Sequence, residues 1–300
     1  MQHHQYINKS MDRDDLLTAD GRKFVRELSA LADRLDEQRL PVTSWYGALT
    51  RPDFQFSKMW LKSALRRYLG SRWRVGPTAS INRGGADYQS VPDIGCDDHH
   101  PWFLYWEAYW AVTQGPPLSE ELRVLDAGGT ASLFSYCLAA SGCVVHSVDL
   151  NERLAACGEK TGRAMGWNLH SYVMDMCDLQ FDAGSFDHAY SICVFEHLDA
   201  PTRQRALGEI ARVLKKGGIL TLTFDFGAPG VMLSGGGRAF DYTPANLLRV
   251  ADDVKRHFLS NDAFELANDV QFVDNGKRYL AWPEDPSARY TFGALFLRRL

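Results

Sequence analysis

Between residues 123 and 226, short apolar runs alternate with longer segments whose apolar positions fall on one helical face. The runs at 123–126, 143–148, 170–174, 186–191 and 218–226 read as strands. Helices are expected near residues 131 and 152 and over 201–214, the last ended by Lys215, Lys216, Gly217 and Gly218. This alternation predicts an α/β fold, a doubly wound and mostly parallel sheet with helices on both faces. Further on, residues 242–258 suit a helix, and 264–272 and 290–298 suit strands that close the sheet.

The N-terminal part has a different pattern. Leu16, Leu17, Phe24, Val25, Leu28, Leu31 and Leu35 recur at helical spacing among charges, which predicts an amphipathic helix or helix pair ending before Pro41. A second helix is expected over 57–69, followed by a glycine-rich loop to residue 100. Trp102, Trp106 and Trp110 then recur every four residues, with Tyr105 and Tyr109 one step behind, so one helix carries an aromatic stripe. Such a stripe either packs on the sheet or lends rings to a substrate, for which Trp106 and Trp110 are the candidates. Gly115, Pro116 and Pro117 interrupt the chain before the first core strand. The expected organisation is a helical, aromatic-rich cap over residues 1–115 and a doubly wound domain over 116–300.

The chemistry concentrates where strands end. Val124 and Leu125 run into Asp126, Gly128 and Gly129 allow a tight turn, and the next strand ends at Asp149. A carboxylate there can accept hydrogen bonds from both hydroxyls of a ribose, so an adenosine-type cofactor is expected. Asp175, with Met176 beside it, would meet an exocyclic amine and a flat ring, and residues 191–197 would face the reacting end. The turn lacks the G-x-G-x-x-G that a nicotinamide dehydrogenase needs.

Composition narrows the class. Hydrophobic residues make up 45% and charged residues 23% of the 300, as in an ordinary globular protein, and the net charge of -4 argues against a dedicated nucleic-acid binder. No apolar run reaches membrane-spanning length and the polar start is no signal peptide, so a cytoplasmic protein is expected. The six cysteines show no paired ligand spacing, and only Cys193 lies near the expected ligand edge. No metal is expected from that pattern.

The runs VLDAGG, SVDLN, DMCDLQFDAGSFDHAYSICVFEHL and EIARVLKKGGILTLTF resemble, in order and spacing, the motifs of class I S-adenosylmethionine-dependent methyltransferases. The resemblance is strong over about residues 123–226, weaker beyond, and absent before 110. It implies a Rossmann-like seven-stranded sheet whose last strand is antiparallel, with YTFGALFLRR as that strand. By position it places Asp126, Gly128 and Gly129 in the glycine motif, Asp149 at the ribose, Asp175 and Met176 at the adenine, and Ser191 along the methionine portion. The cofactor it implies is S-adenosylmethionine. One departure is that Thr130 and Ser132 stand where the family usually has further glycines, so the turn must differ or shift by a residue.

On this reading the chain transfers a methyl group to oxygen or nitrogen of a small, aromatic or amphipathic molecule, with His197 as base and Glu196 as the second candidate. The stretch 227–237 suits a mobile flap. Two other readings compete. Eight basic residues between Arg51 and Arg83 against Asp53 alone would suit a nucleic-acid or phosphate-bearing substrate. Thr130 and Ser132 would suit a non-catalytic binding or regulatory subunit. The sequence leaves the oligomeric state and the methyl acceptor open.

Overall fold

The computed structural model describes residues 6–43, 100–227, 251–259, 262–268, 271–281 and 289–300. The expected helix at 57–69, the loop to residue 99, the basic run 51–83, the stretch 228–237 and the first half of the helix expected at 242–258 lie outside these residues. In chain order the elements are β1 (Lys9–Ser10), α1 (Ala19–Glu37), α2 (Trp102–Thr113), β2 (Arg123–Ala127), α3 (Leu133–Ala140) and β3 (Val144–Asp149). They continue with α4 (Glu152–Met165), β4 (Leu169–Val173), β5 (Phe186–Ile192), α5 (Ala200–Val213), β6 (Leu214–Gly227), α6 (Ala251–Phe258), β7 (Phe264–Leu266), β8 (Leu280–Ala281) and β9 (Arg289–Arg299).

The strands form one sheet in the order β1-β9-β6-β5-β2-β3-β4, with β7 and β8 also pairing with β9. Strands β2 to β6 run parallel to one another, and β9 runs antiparallel to β6 from Ile219↔Arg298 to Gly227↔Tyr290. The expected parallel sheet with an antiparallel final strand is therefore present. Among the described residues it has nine strands rather than seven, because the two-residue strands β1 and β8 add pairings on β9. Strand β9 reads as a nearly unbroken apolar run and is buried from Tyr290 to Leu297, as a strand covered on both faces must be.

Helix α1 begins where Thr18 accepts from the N–H of Gly21, and it turns Val25, Leu28, Leu31 and Leu35 inward at turn spacing. Helix α2 is buried on nearly every side. Its aromatic rings lie between α1 and the β6–β9 part of the sheet, with Phe103 stacked on Phe292 at 5.0 Å.

The boundary expected at residues 115 and 116 does not divide the core. Strand β1 hydrogen-bonds to β9, and residues of α1, α2, β2 and β9 share one apolar cluster. An aromatic helix cannot bury all its faces alone, so it forms one layer of the domain rather than a separate cap.

Candidate functional site

Strand β2 delivers the chain into the glycine turn at the carboxyl edge of the sheet, the edge at which open α/β sheets bind ligands. Gly128 has φ +87°, and a Cβ there would lie 2.8 Å from a Val194 methyl, so only glycine fits. A Cβ on Gly129 would collide with the carboxylate of Asp126. The missing third glycine is explained by the neighbouring residue. Ala131 takes the left-handed conformation at φ +61°, Thr130 does not, and Ser132 caps α3 by accepting from the N–H of Ser135 at 3.0 Å. The turn has shifted by one residue, and the Ser132 hydroxyl performs an ordinary capping role.

Asp126 is fully buried beneath this turn. The Ser135 hydroxyl donates to its Oδ2, while Oδ1 has no hydrogen-bond partner among the described residues. Burial pushes its pKa up to about 7 against the hydrogen bond from Ser135, and the charge of Asp149 adds to the rise. Asp149 ends β3 beside it, half-buried, and its Oδ1 accepts from the N–H of Asn151 at 2.8 Å. Burial again raises the carboxyl pKa. Because Asp149 pairs with Val173 at the end of β4, Asp175 lies two residues past the same edge, exposed, with its Oδ1 accepting from the N–H of Cys177. Met176 is half-buried next to it. The three aspartates thus stand at the ends of three adjacent strands, along one rim.

Leu150 belongs to this rim and carried no distinguishing signal in the sequence. It is 74% exposed between Asp149 and Asn151, an apolar side chain held out over a polar edge. Ser191 behaves differently from the others. It is buried in β5 and its hydroxyl donates to the Ala127 carbonyl at 2.7 Å, which ties the end of β2 to β5.

Beyond β5 the chain turns sharply at Cys193, φ +52°, into a 3-10 turn over Phe195–His197. Glu196 is buried, and its carboxyl pKa lies well above the ordinary range, first through desolvation and then through the neighbouring Asp225. His197 is held below the usual histidine range by burial, so its imidazole is neutral at physiological pH. Glu107, from the middle of α2, accepts from the Cys193 thiol at 2.8 Å, and burial raises its pKa to about 8. Its sequence signal was a single acid inside the otherwise apolar run WFLYWEAYWAVT.

The candidate substrate rings lie elsewhere. Trp106 is fully buried and donates its indole N–H to Asp15 at 2.8 Å, and Trp110 donates to the Ile7 carbonyl at 2.9 Å while stacking on Trp106 at 5.6 Å. Both are core rings that fasten the N-terminal segment to α2, which removes the substrate-facing expectation.

A parallel sheet with a glycine turn after its first core strand and acids along its carboxyl edge defines a nucleoside-cofactor domain. Residues 125–222 match the family described as a methyltransferase domain. This segment is similar to the methyltransferase domain of class I S-adenosylmethionine-dependent enzymes, and S-adenosylmethionine is the cofactor that this likeness points to. The residues fit that group: beneath the glycine turn, a buried carboxylate oxygen of Asp126 is unpartnered among the described residues.

No curated protein matches the chain. Among solved structures, the MccD protein is similar at 17% identity over 65% of this chain and 96% of its own, with a TM-score of 0.51. A methyltransferase from Methanosarcina mazei is similar at 22% identity over 61% of this chain and 94% of its own, with a TM-score of 0.47. Geranyl diphosphate C-methyltransferase from Streptomyces coelicolor aligns at 16% identity over 61% of this chain and 75% of its own, TM-score 0.45. At such identities the likeness concerns the fold. Among the described residues no helix is long and apolar enough to cross a membrane.

Proposed function

We propose that the chain transfers the methyl group of S-adenosylmethionine to oxygen or nitrogen of a small molecule. The observation that carries this reading is the row Asp126, Asp149 and Asp175 at the ends of adjacent strands beside the Gly128–Gly129 turn. Bound S-adenosylmethionine supplies an already activated methyl group on its sulfonium. The protein's part is to grip the nucleoside and to align an acceptor behind the methyl, a form of positioning that can contribute ~7–11 kcal/mol.

In this reading Asp149 accepts from the ribose hydroxyls, Asp175 accepts from the adenine amine, and Leu150 and Met176 wall the flat ring. Gly128 and Gly129 let the backbone approach the methionine portion, and the buried Asp126 carboxylate lies beneath it as the counter-charge. Ser191 acts indirectly, by holding the end of β2 in place through Ala127. Of the two candidate bases His197 suits the role better, because its imidazole is neutral whereas the Glu196 carboxyl is held protonated.

A small acceptor is favoured because the turn that carries His197 is half-buried or buried throughout. Incubating the chain with S-adenosylmethionine and a panel of aromatic and amphipathic alcohols, phenols and amines, with S-adenosylhomocysteine as the measured product, tests the proposal. Methylation of at least one compound is expected. Tight cofactor binding with no acceptor turned over would favour the non-catalytic reading instead.

A further inference from the structure

The groups around Cys193 form a second polar cluster, separate from the row of strand-end aspartates. The Cys193 sulfur, one carboxylate oxygen of Glu196 and one of Asp225 lie within 4.8 Å of one another. They come from the turn after β5, from the 3-10 turn and from β6, so the fold rather than chain proximity brings them together. Glu196 is 4% exposed and Asp225 1%. Glu107 enters from the opposite layer, helix α2, with no exposed surface, and its Oε1 reaches the Cys193 sulfur.

Glu196, Glu107 and the Cys193 thiol carry a large cost if charged, because desolvation disfavours each anion and the anions repel one another. Protons alone relieve the charge and leave a hydrogen-bonding deficit. Protonated carboxyls in close contact share hydrogen bonds, yet neither oxygen of Glu196 has a hydrogen-bond partner among the described residues, nor does Oε2 of Glu107. Each such buried group costs about 1–3 kcal/mol. A cation seated between the groups removes the repulsion and satisfies those oxygens together. Two oxygens at roughly 2.1 Å from one ion lie about 3.4–4.2 Å apart, inside the 4.8 Å within which these atoms converge.

We propose that Cys193, Glu196 and Asp225 bind one divalent metal ion, with Glu107 as the outer group that hydrogen-bonds the Cys193 sulfur. A thiolate with two carboxylates is a mixed soft and hard donor set, which selects zinc over magnesium or calcium. On binding, the S–H bond of Cys193 breaks, its electron pair passes to the metal, and the proton is released to solvent, as are any carboxyl protons. The ion would sit at the carboxyl ends of β5 and β6. Its binding does not depend on the methyl-transfer reading, and the test below contains no cofactor.

The purified full-length chain is stripped with a chelator, titrated with zinc in competition with a chromophoric chelator, and separately loaded with cobalt(II). One equivalent of zinc per chain is expected, together with a near-ultraviolet sulfur-to-cobalt charge-transfer band. Cys193→Ser should abolish that band, and Glu196→Gln or Asp225→Asn should weaken zinc binding at least tenfold with the far-ultraviolet circular dichroism unchanged. Where a variant fails to fold, the spectrum of the unaltered chain decides. Absence of stoichiometric zinc, absence of the charge-transfer band, or its persistence in folded Cys193→Ser would overturn the proposal.

Discussion

The backbone N–H of Thr43 donates to the carbonyl of Ala131 across 2.7 Å, at the one residue of the glycine turn that is left-handed without being glycine. The Thr43 hydroxyl adds a bond to the Thr130 carbonyl at 3.1 Å, and the Tyr136 hydroxyl anchors the same strand of chain at Pro41. The segment before residue 44 thus clamps a turn whose conformation a non-glycine residue resists by about 1–2 kcal/mol. Thr43→Val removes the hydroxyl bond, and it should weaken S-adenosylhomocysteine binding by several-fold, as read by calorimetry. Adding Ala131→Gly should restore most of the loss, because glycine holds the left-handed conformation without the clamp. No rescue would mean that the clamp acts elsewhere.

Asp126 gives the fold a pH dependence of definite sign. Its carboxyl pKa is about 7 in the folded chain against an ordinary value of 3.8. Below about pH 4 both states hold the proton. Between about 4 and 7 the unfolded chain releases it while the folded chain keeps it, so stability falls as pH rises, by on the order of 4 kcal/mol at most, and is flat in this respect above 7. Asp126→Asn should remove this component. Urea unfolding of both proteins at pH 5 and pH 8 checks it: the variant should gain relative stability at pH 8.

Ser191 separates a supporting role from a contacting one. Ser191→Ala deletes the bond to Ala127 and leaves that buried carbonyl short of a donor, a loss of about 1–3 kcal/mol. The expected result is a lower midpoint of thermal unfolding with cofactor affinity changed less than twofold at a temperature where the variant is folded.

Trp106→Phe keeps the apolar ring and deletes the N–H that reaches Asp15. The variant should lose about 1–2 kcal/mol of stability in denaturant titration, since the acceptor is a carboxylate. Its methyl-transfer KM should stay unchanged, because the ring is enclosed by protein.

The part of the fold governed by local pattern was legible from the chain. Apolar runs ending in Asp126 and Asp149, with glycines between, specify strand, turn and strand, and the strand-end position of these acids follows from the parallel order. Tertiary pairing was not legible. Two residues at Lys9–Ser10 join β9 more than 280 positions away, and no local pattern encodes such a partner. Trp106 and Trp110 have the same spacing whether they face a ligand or a sheet, and only the bonds to Asp15 and Ile7 decide. The turn at Ala131 was foreseeable as a shift, while its residue was not, since alanine enters the left-handed region only when something outside the turn holds it. Glu107 was visible as an acid in an apolar helix, but its meeting with Cys193 required the packing of α2 on the sheet.

The central claim is that Asp149 holds the ribose of the cofactor at the end of β3. Calorimetric titration of the chain and of Asp149→Ala with S-adenosylhomocysteine tests it most directly. The account predicts stoichiometric binding to the parent chain and an affinity lower by roughly 10- to 100-fold in the variant, the loss of charge-assisted hydrogen bonds worth about 1.5–3 kcal/mol. Equal affinity in the two proteins would contradict it.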